Sequence, residues 1–196
     1  TDADAGNYVG STGQTTQTEC AAGTYQSAIG QSSCTDASAG YYVGSTGQSS
    51  QTECAAGTYQ ASTGQSACTD ADAGYYVDST TQTSQTACAV GTYQINSGQS
   101  SCISAGAGHY VDSTGQTAQT ACGGGTYQST TGQSSCIISE PGYYVDSMAA
   151  IAQIPCSAGT YGTNSGSDSS NNCLAASLGY YVDSTGQSSQ TECAAG

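Results

Sequence analysis

Tyrosine recurs along the chain at an even spacing, at Tyr8, Tyr25, Tyr42, Tyr59, Tyr76, Tyr93, Tyr110, Tyr127, Tyr144 and Tyr161, and Tyr181 follows after a longer step. A glycine stands two places before each, from Gly6 and Gly23 to Gly179. Each G-x-Y-x leads into S-T-G-Q or a similar polar run, with Gly at 13, 30, 47, 64, 98, 115, 132 and 186. Glycine there suits a turn needing φ > 0, and the flanking Tyr, Val and Thr have good strand propensity. The pattern predicts an all-β chain of short hairpins, one per recurring tyrosine. Alternation along a strand puts Tyr41 and Val43 on one face and Tyr42 on the other. A lone hairpin is not stable, so neighbours must stack into an elongated rod. The recurring tyrosine ring is the natural ladder between them.

The cysteines impose a second period. They stand at 20, 34, 54, 68, 88, 102, 122, 136, 156, 173 and 193, so that short and long gaps alternate, and the gap from Cys156 to Cys173 is longer than its counterparts. That is a 34-residue double repeat with one three-residue insertion, and periods of this size signal repeat architectures. One 17-residue kind reads C-A-A-G-T-Y-Q-S-A-I-G-Q-S-S-C-T-D (20–36), the other A-S-A-G-Y-Y-V-G-S-T-G-Q-S-S-Q-T-E (37–53). Ala37 and Gln51 take the places of Cys20 and Cys34, and every copy of the second kind lacks both cysteines together. Joint absence is expected if the two are bonded to each other. The expected pairs are Cys20–Cys34, Cys54–Cys68, Cys88–Cys102, Cys122–Cys136 and Cys156–Cys173; Cys34–Cys54 and its equivalents stay open. Each such loop is worth about 3 kcal/mol by chain entropy.

The cysteine-free kind compensates with Val9, Val43, Val77, Val111, Val145 or Val182 after the tyrosine, and usually with a second tyrosine (Tyr41, Tyr75, Tyr143, Tyr180). Cys193 is left alone, its partner expected outside the chain or, alternatively, on another chain. Thr1-Asp2-Ala3 likewise starts just after the place of a cysteine. The plan is then a partial repeat 1–19, repeats 20–53, 54–87, 88–121, 122–155 and 156–192 (the last with the insertion), and the start of another at 193–196.

Composition narrows the class. Leu, Ile and Val together number 16 of 196 residues, with no Phe or Trp, too few for a conventional core. Such a composition alone reads as disorder; regular cysteines make it a disulfide framework, which forms in oxidising, extracellular compartments. The chain has 14 Asp and Glu and no Lys or Arg. Nothing can neutralise phosphates, which excludes nucleic-acid binding and attraction to anionic membranes. No stretch is apolar for long enough to form a membrane-spanning helix. No signal peptide is seen, and a mature product or a segment of a longer array is the expectation.

The motif C-A-A-G-T-Y-Q (20–26, 54–60) with G-Q-S-S-C (30–34, 132–136) resembles the cysteine-rich ephrin-receptor-like repeats, relatives of the epidermal-growth-factor-like and tumour-necrosis-factor-receptor-like modules. The resemblance runs through essentially the whole chain. It implies a place among large cell-surface and extracellular proteins, including those of algal flagellar hairs and surface fibres of aquatic microbes. The chain departs from that family by losing every second cysteine pair, and receptor or growth-factor activity does not carry over.

Chemistry-bearing residues are few. His109, the one imidazole, replaces the first tyrosine of a G-Y-Y triplet and is expected to face solvent. One histidine and paired cysteines make neither a zinc site nor a thiolate nucleophile, so no enzyme and no required cofactor is expected. The D-x-D pairs Asp2/Asp4 and Asp70/Asp72 resemble pieces of calcium loops without the remaining ligands, which leaves weak calcium binding or plain solvated acid. No N-x-[ST] sequon occurs; Thr12, Thr46, Thr63 and Thr131 are candidates for O-linked glycans, or simply hydrate the turns.

Residues 137–154 break the polar pattern. Ile137, Ile138, Met148, Ile151 and Ile154, with Leu174 and Leu178 beyond, form a candidate contact with other copies or array segments; the alternative is drift, with burial against the adjacent hairpin. The insertion within 162–172 is expected to be an exposed, mobile loop. The reading is a structural subunit of an extracellular filament or cell-surface appendage, self-associating and open to O-glycosylation; the stalk of a monomeric adhesin is the alternative.

Overall fold

The computed structural model describes residues 2–194; Thr1, Ala195 and Gly196, which belong to the expected terminal partial repeats, lie outside the described residues. Among the described residues the fold is all-β: eleven two-stranded antiparallel hairpins and a single 3₁₀ turn. Each strand is a dipeptide. Tyr25 pairs with Thr35 and Thr24 with Asp36; one hairpin further on, Tyr42 pairs with Thr52 and Tyr41 with Glu53. A tight turn precedes each first strand. Thr24 N–H donates to Ala21 O at 3.0 Å, and the Thr24 hydroxyl donates to the same carbonyl at 2.9 Å.

The chain forms two compact units, Thr1–Cys88 with Gln94–Cys102, and Ala89–Tyr93 with Ile103–Gly196. In the first, four backbone hydrogen bonds join each hairpin to the next. For the hairpins 20–36 and 37–53, Gly23 N–H donates to Val43 O (2.8 Å), Gln26 N–H to Gln48 O (3.1 Å), Gly47 N–H to Cys20 O (2.9 Å) and Ala37 N–H to Gly23 O (2.8 Å). The second unit repeats the set between 105–121 and 122–138: Gly108 to Gln128 O, Val111 to Gln133 O, Gly132 to Ala105 O and Cys122 to Gly108 O, all within 2.7–3.0 Å. Backbone groups that so short a strand cannot satisfy within its own hairpin are thereby satisfied by the neighbour.

This bonding explains how so few large aliphatics suffice. Each unit buries two columns of residues. One is made of small side chains: Ala3, Cys20, Ala37, Cys54, Ala71 and Cys88 in the first unit, and Ala105, Cys122, Ser139 and Cys156 in the second. The other alternates glutamine with valine: Gln26, Val43, Gln60, Val77 and Gln94, then Val111, Gln128 and Val145. The recurring tyrosines are half-buried and flank these columns rather than filling them; Tyr180 and Tyr181 are exposed.

The three-residue insertion is confined to one end of the expected loop. Gly162 is buried, Gly166 takes the usual turn (φ +71°, its N–H donating to Ser139 O at 2.8 Å), and the buried Ser167 accepts from Val145 N–H at 2.8 Å. Residues 162–167 thus follow the path of the sister repeats and are not a free loop. The extra length is taken up in the 3₁₀ turn Ser170–Asn172, capped by the Ser169 hydroxyl accepting from Asn171 N–H.

Two hairpins carry a non-glycine residue at that same turn position, Thr81 (φ +62°) and Ala149 (φ +55°). A left-handed conformation costs an L-residue about 1–2 kcal/mol. Thr81→Gly is therefore expected to stabilise its unit by roughly 1 kcal/mol, read as a higher urea midpoint with unchanged slope. A lowered midpoint would show that the Thr81 side chain compensates its backbone.

Candidate functional site

Each hairpin encloses a loop that must be closed at its base, and the two kinds of repeat close it differently. In the cysteine-bearing kind the bridge is covalent. Disulfides join Cys20–Cys34, Cys54–Cys68, Cys88–Cys102, Cys122–Cys136 and Cys156–Cys173, with Cα–Cα separations of 5.6–5.8 Å. Inside the first four of these loops lies a buried glutamine, and Gly162 takes its place in the fifth. Gln26 Nε2 donates to Ser33 O at 2.8 Å and its Oε1 accepts from Ala28 N–H at 3.1 Å; Gln60, Gln94 and Gln128 do the same.

In the cysteine-free kind a glutamine occupies the second cysteine's place and bonds across the loop. Gln51 Oε1 accepts from Ser38 N–H at 2.7 Å. Gln17, Gln85, Gln119, Gln153 and Gln190 bond in the same way to residues 4, 72, 106, 140 and 177, at 2.6–2.8 Å. The missing disulfide is thus replaced by a hydrogen bond across nearly the same span of chain, a sequence separation of 13 against 14. Sequence reasoning missed this role for glutamine. The signal was present, since Gln stands at that position in all six cysteine-free repeats.

The D-x-D carboxylates are engaged separately. Asp4 Oδ2 accepts from Gln17 Nε2 at 2.8 Å and Asp72 Oδ2 from Gln85 Nε2 at 2.7 Å, each reinforcing a glutamine bridge. Asp2 and Asp70 lie instead beside the turn glycines Gly30 and Gly98. Among the described residues no group of three or more His, Cys, Asp or Glu is placed to hold a metal ion. His109 is half-buried, not fully solvent-facing, and its Nδ1 lies 3.2 Å from Ala107 O. Cys193 is exposed and unpaired.

Thr12, Thr46, Thr63 and Thr131 are all exposed, and the Thr46 hydroxyl donates to Glu19 Oε2 at 2.8 Å. Ile137, Ile138, Met148, Ile151, Ile154, Leu174 and Leu178 are exposed as well, so none is buried against an adjacent hairpin. They do not occupy one type of position. Ile137, Ile154 and Leu174 pair across their hairpins with Tyr127, Tyr144 and Tyr161, Ile138 lies beside the turn at Gly166, and Met148 and Ile151 belong to the loop around Ala149.

A family model described as tyrosine-protein kinase ephrin type A/B receptor-like matches residues 74–122, a stretch that contains the Cys88–Cys102 bridge. The chain is a cysteine-rich tandem repeat. No curated protein matches it. Disulfide-rich repeats of this class fit an extracellular or secreted protein with a structural or binding role, and a non-catalytic domain. No helix among the described residues is long and apolar enough to cross a membrane.

Proposed function

We propose that this chain is a load-bearing segment of an extracellular filament or cell-surface appendage. The observation that supports it most is the backbone bonding within each unit, where hairpin after hairpin is tied to the next by the same four hydrogen bonds and closed at its base by a disulfide or a glutamine. Such a chain resists extension by sharing load over many equivalent bonds, and its bridges limit how far any opened hairpin can lengthen. Its 14 acids without a single cation hold copies apart and limit random bundling. Exposed threonines on the turns would carry O-linked glycans in that setting.

Electron microscopy of the native, unreduced material tests the reading. Ordered fibres with an axial repeat set by the hairpins are the expected result. Isolated single molecules would overturn it, and would make the chain the stalk of a binding protein.

A further inference from the structure

In every hairpin the tyrosine of the first strand faces one residue of the second strand, and directly opposed side chains share a face. In the first unit that opposite residue is threonine throughout: Thr18, Thr35, Thr52, Thr69 and Thr86. The residue after it is acidic in four of the five hairpins, as Glu19, Asp36, Glu53 and Asp70. The second unit changes both rows in four of its hairpins, while Tyr110 and Tyr181 keep Thr120 and Thr191. Tyr93, Tyr127, Tyr144 and Tyr161 face Ile103, Ile137, Ile154 and Leu174, which are 43%, 43%, 40% and 47% exposed. The residues that follow are Ser104, Ile138, Pro155 and Ala175, none of them charged.

We infer that this aromatic–aliphatic stripe of the second unit is the contact surface for a second copy of the same chain, stripe against stripe. Charge selects the occupant. Two copies, each carrying 14 acids and no cation, repel wherever their acidic rows meet. The stripe is where the acid beside the tyrosine row has been exchanged for uncharged side chains, so an identical surface can approach it without burying an unpaired carboxylate. A self-complementary patch of this kind closes by a two-fold axis. Exposed apolar side chains recurring at one hairpin position, in a chain otherwise so poor in them, are what such a contact requires. The inference rests on the structural reading above and names the partner of that array.

Sedimentation of the full chain, unreduced and with Cys193 alkylated, is the test. Association should strengthen with salt, because screening weakens the acidic repulsion and leaves apolar contact intact. Ile137→Thr with Ile154→Thr, which installs the residue of the sister repeats and so preserves the hairpin, should weaken self-association about tenfold or more. Ile29→Thr, which removes an exposed isoleucine of the first unit, should not weaken it. A chain that stays monomeric up to roughly 1 mM at high salt overturns the inference. So does an Ile137→Thr/Ile154→Thr variant that associates like the parent, or an Ile29→Thr variant that dissociates equally. Copies that pair through the stripe in material without fibres would sink only the filament; fibres indifferent to the double variant would sink only the stripe.

Discussion

Gly57→Ala is expected to cost about 3 kcal/mol or more, while Gly123→Ala should change stability by less than about 0.5 kcal/mol. Gly57 sits at φ +89°, and a β-carbon there would lie 2.3 Å from Gly98 O and 3.0 Å from Gly98 C. The obstacle is backbone and cannot rotate away. Gly98 is itself fixed by its N–H donating to Ala71 O at 2.8 Å, and Gly57 N–H donates to Val77 O at 2.7 Å, so relief at one place breaks a bond at another. The same approach recurs between Gly23 and Gly64 in the first unit and between Gly91 and Gly132 in the second. Gly123 differs on both counts, with no left-handed φ and nothing within 4 Å. The sister repeats already place Ala21 and Ala55 at its position. Urea unfolding gives the two free energies, and amide exchange around residue 57 shows whether the loss is local. Equal effects of the two substitutions would mean that contact between hairpins does not limit stability.

That contact marks the boundary of what the sequence discloses. Period, hairpin and turn are local, so the recurring G-x-Y and the turn glycines were enough to predict one short hairpin per tyrosine, while the bounds of strands such as Tyr41–Tyr42 and Thr52–Glu53 came from the structure. The joint loss of Cys20 and Cys34 in alternate repeats pointed to the bonds the structure contains. What holds one hairpin to the next was not legible, because it runs mainly through backbone groups that every residue owns. Tyrosine, the bulkiest recurrent side chain, drew attention as the ladder, yet the fully buried positions belong to Ala37, Cys54 and Val43. The glycine of each G-x-Y stands out in the sequence only by its recurrence; that it meets a carbonyl more than two repeats away, as Gly57 meets Gly98, has no local signature. The apolar residues 137–154 stood out as an irregularity. Their division between the tyrosine-facing row and the turns needed the strand register.

Exchanging the two kinds of bridge should move stability in both directions. Cys54→Ala with Cys68→Ala removes a bond that closes a loop of about 15 residues and should cost about 3 kcal/mol. Cys54→Ala with Cys68→Gln recreates the cysteine-free pattern, as in Ala37 and Gln51. Its amide can then accept from the N–H of Ala55, as Gln51 Oε1 accepts from Ser38 N–H. That bond should restore about 1 kcal/mol, the net worth of one hydrogen bond. In the opposite sense, Ala37→Cys with Gln51→Cys places two cysteines on a backbone that follows the sister path. Ala37 N–H donates to Gly23 O at 2.8 Å where Cys54 N–H donates to Gly40 O at 2.9 Å. A sixth disulfide should form and stabilise the first unit by about 2 kcal/mol, the new bridge being offset by the lost glutamine bond. Thiol titration reports the bond, and urea unfolding of the oxidised and reduced forms reports its worth. If Cys68→Gln behaves like Cys68→Ala, the glutamine is a spectator and the cysteine-free hairpins are held by their neighbours alone. Partial recovery would instead explain why half the repeats can dispense with their disulfide. They keep the closure and give up only its covalency.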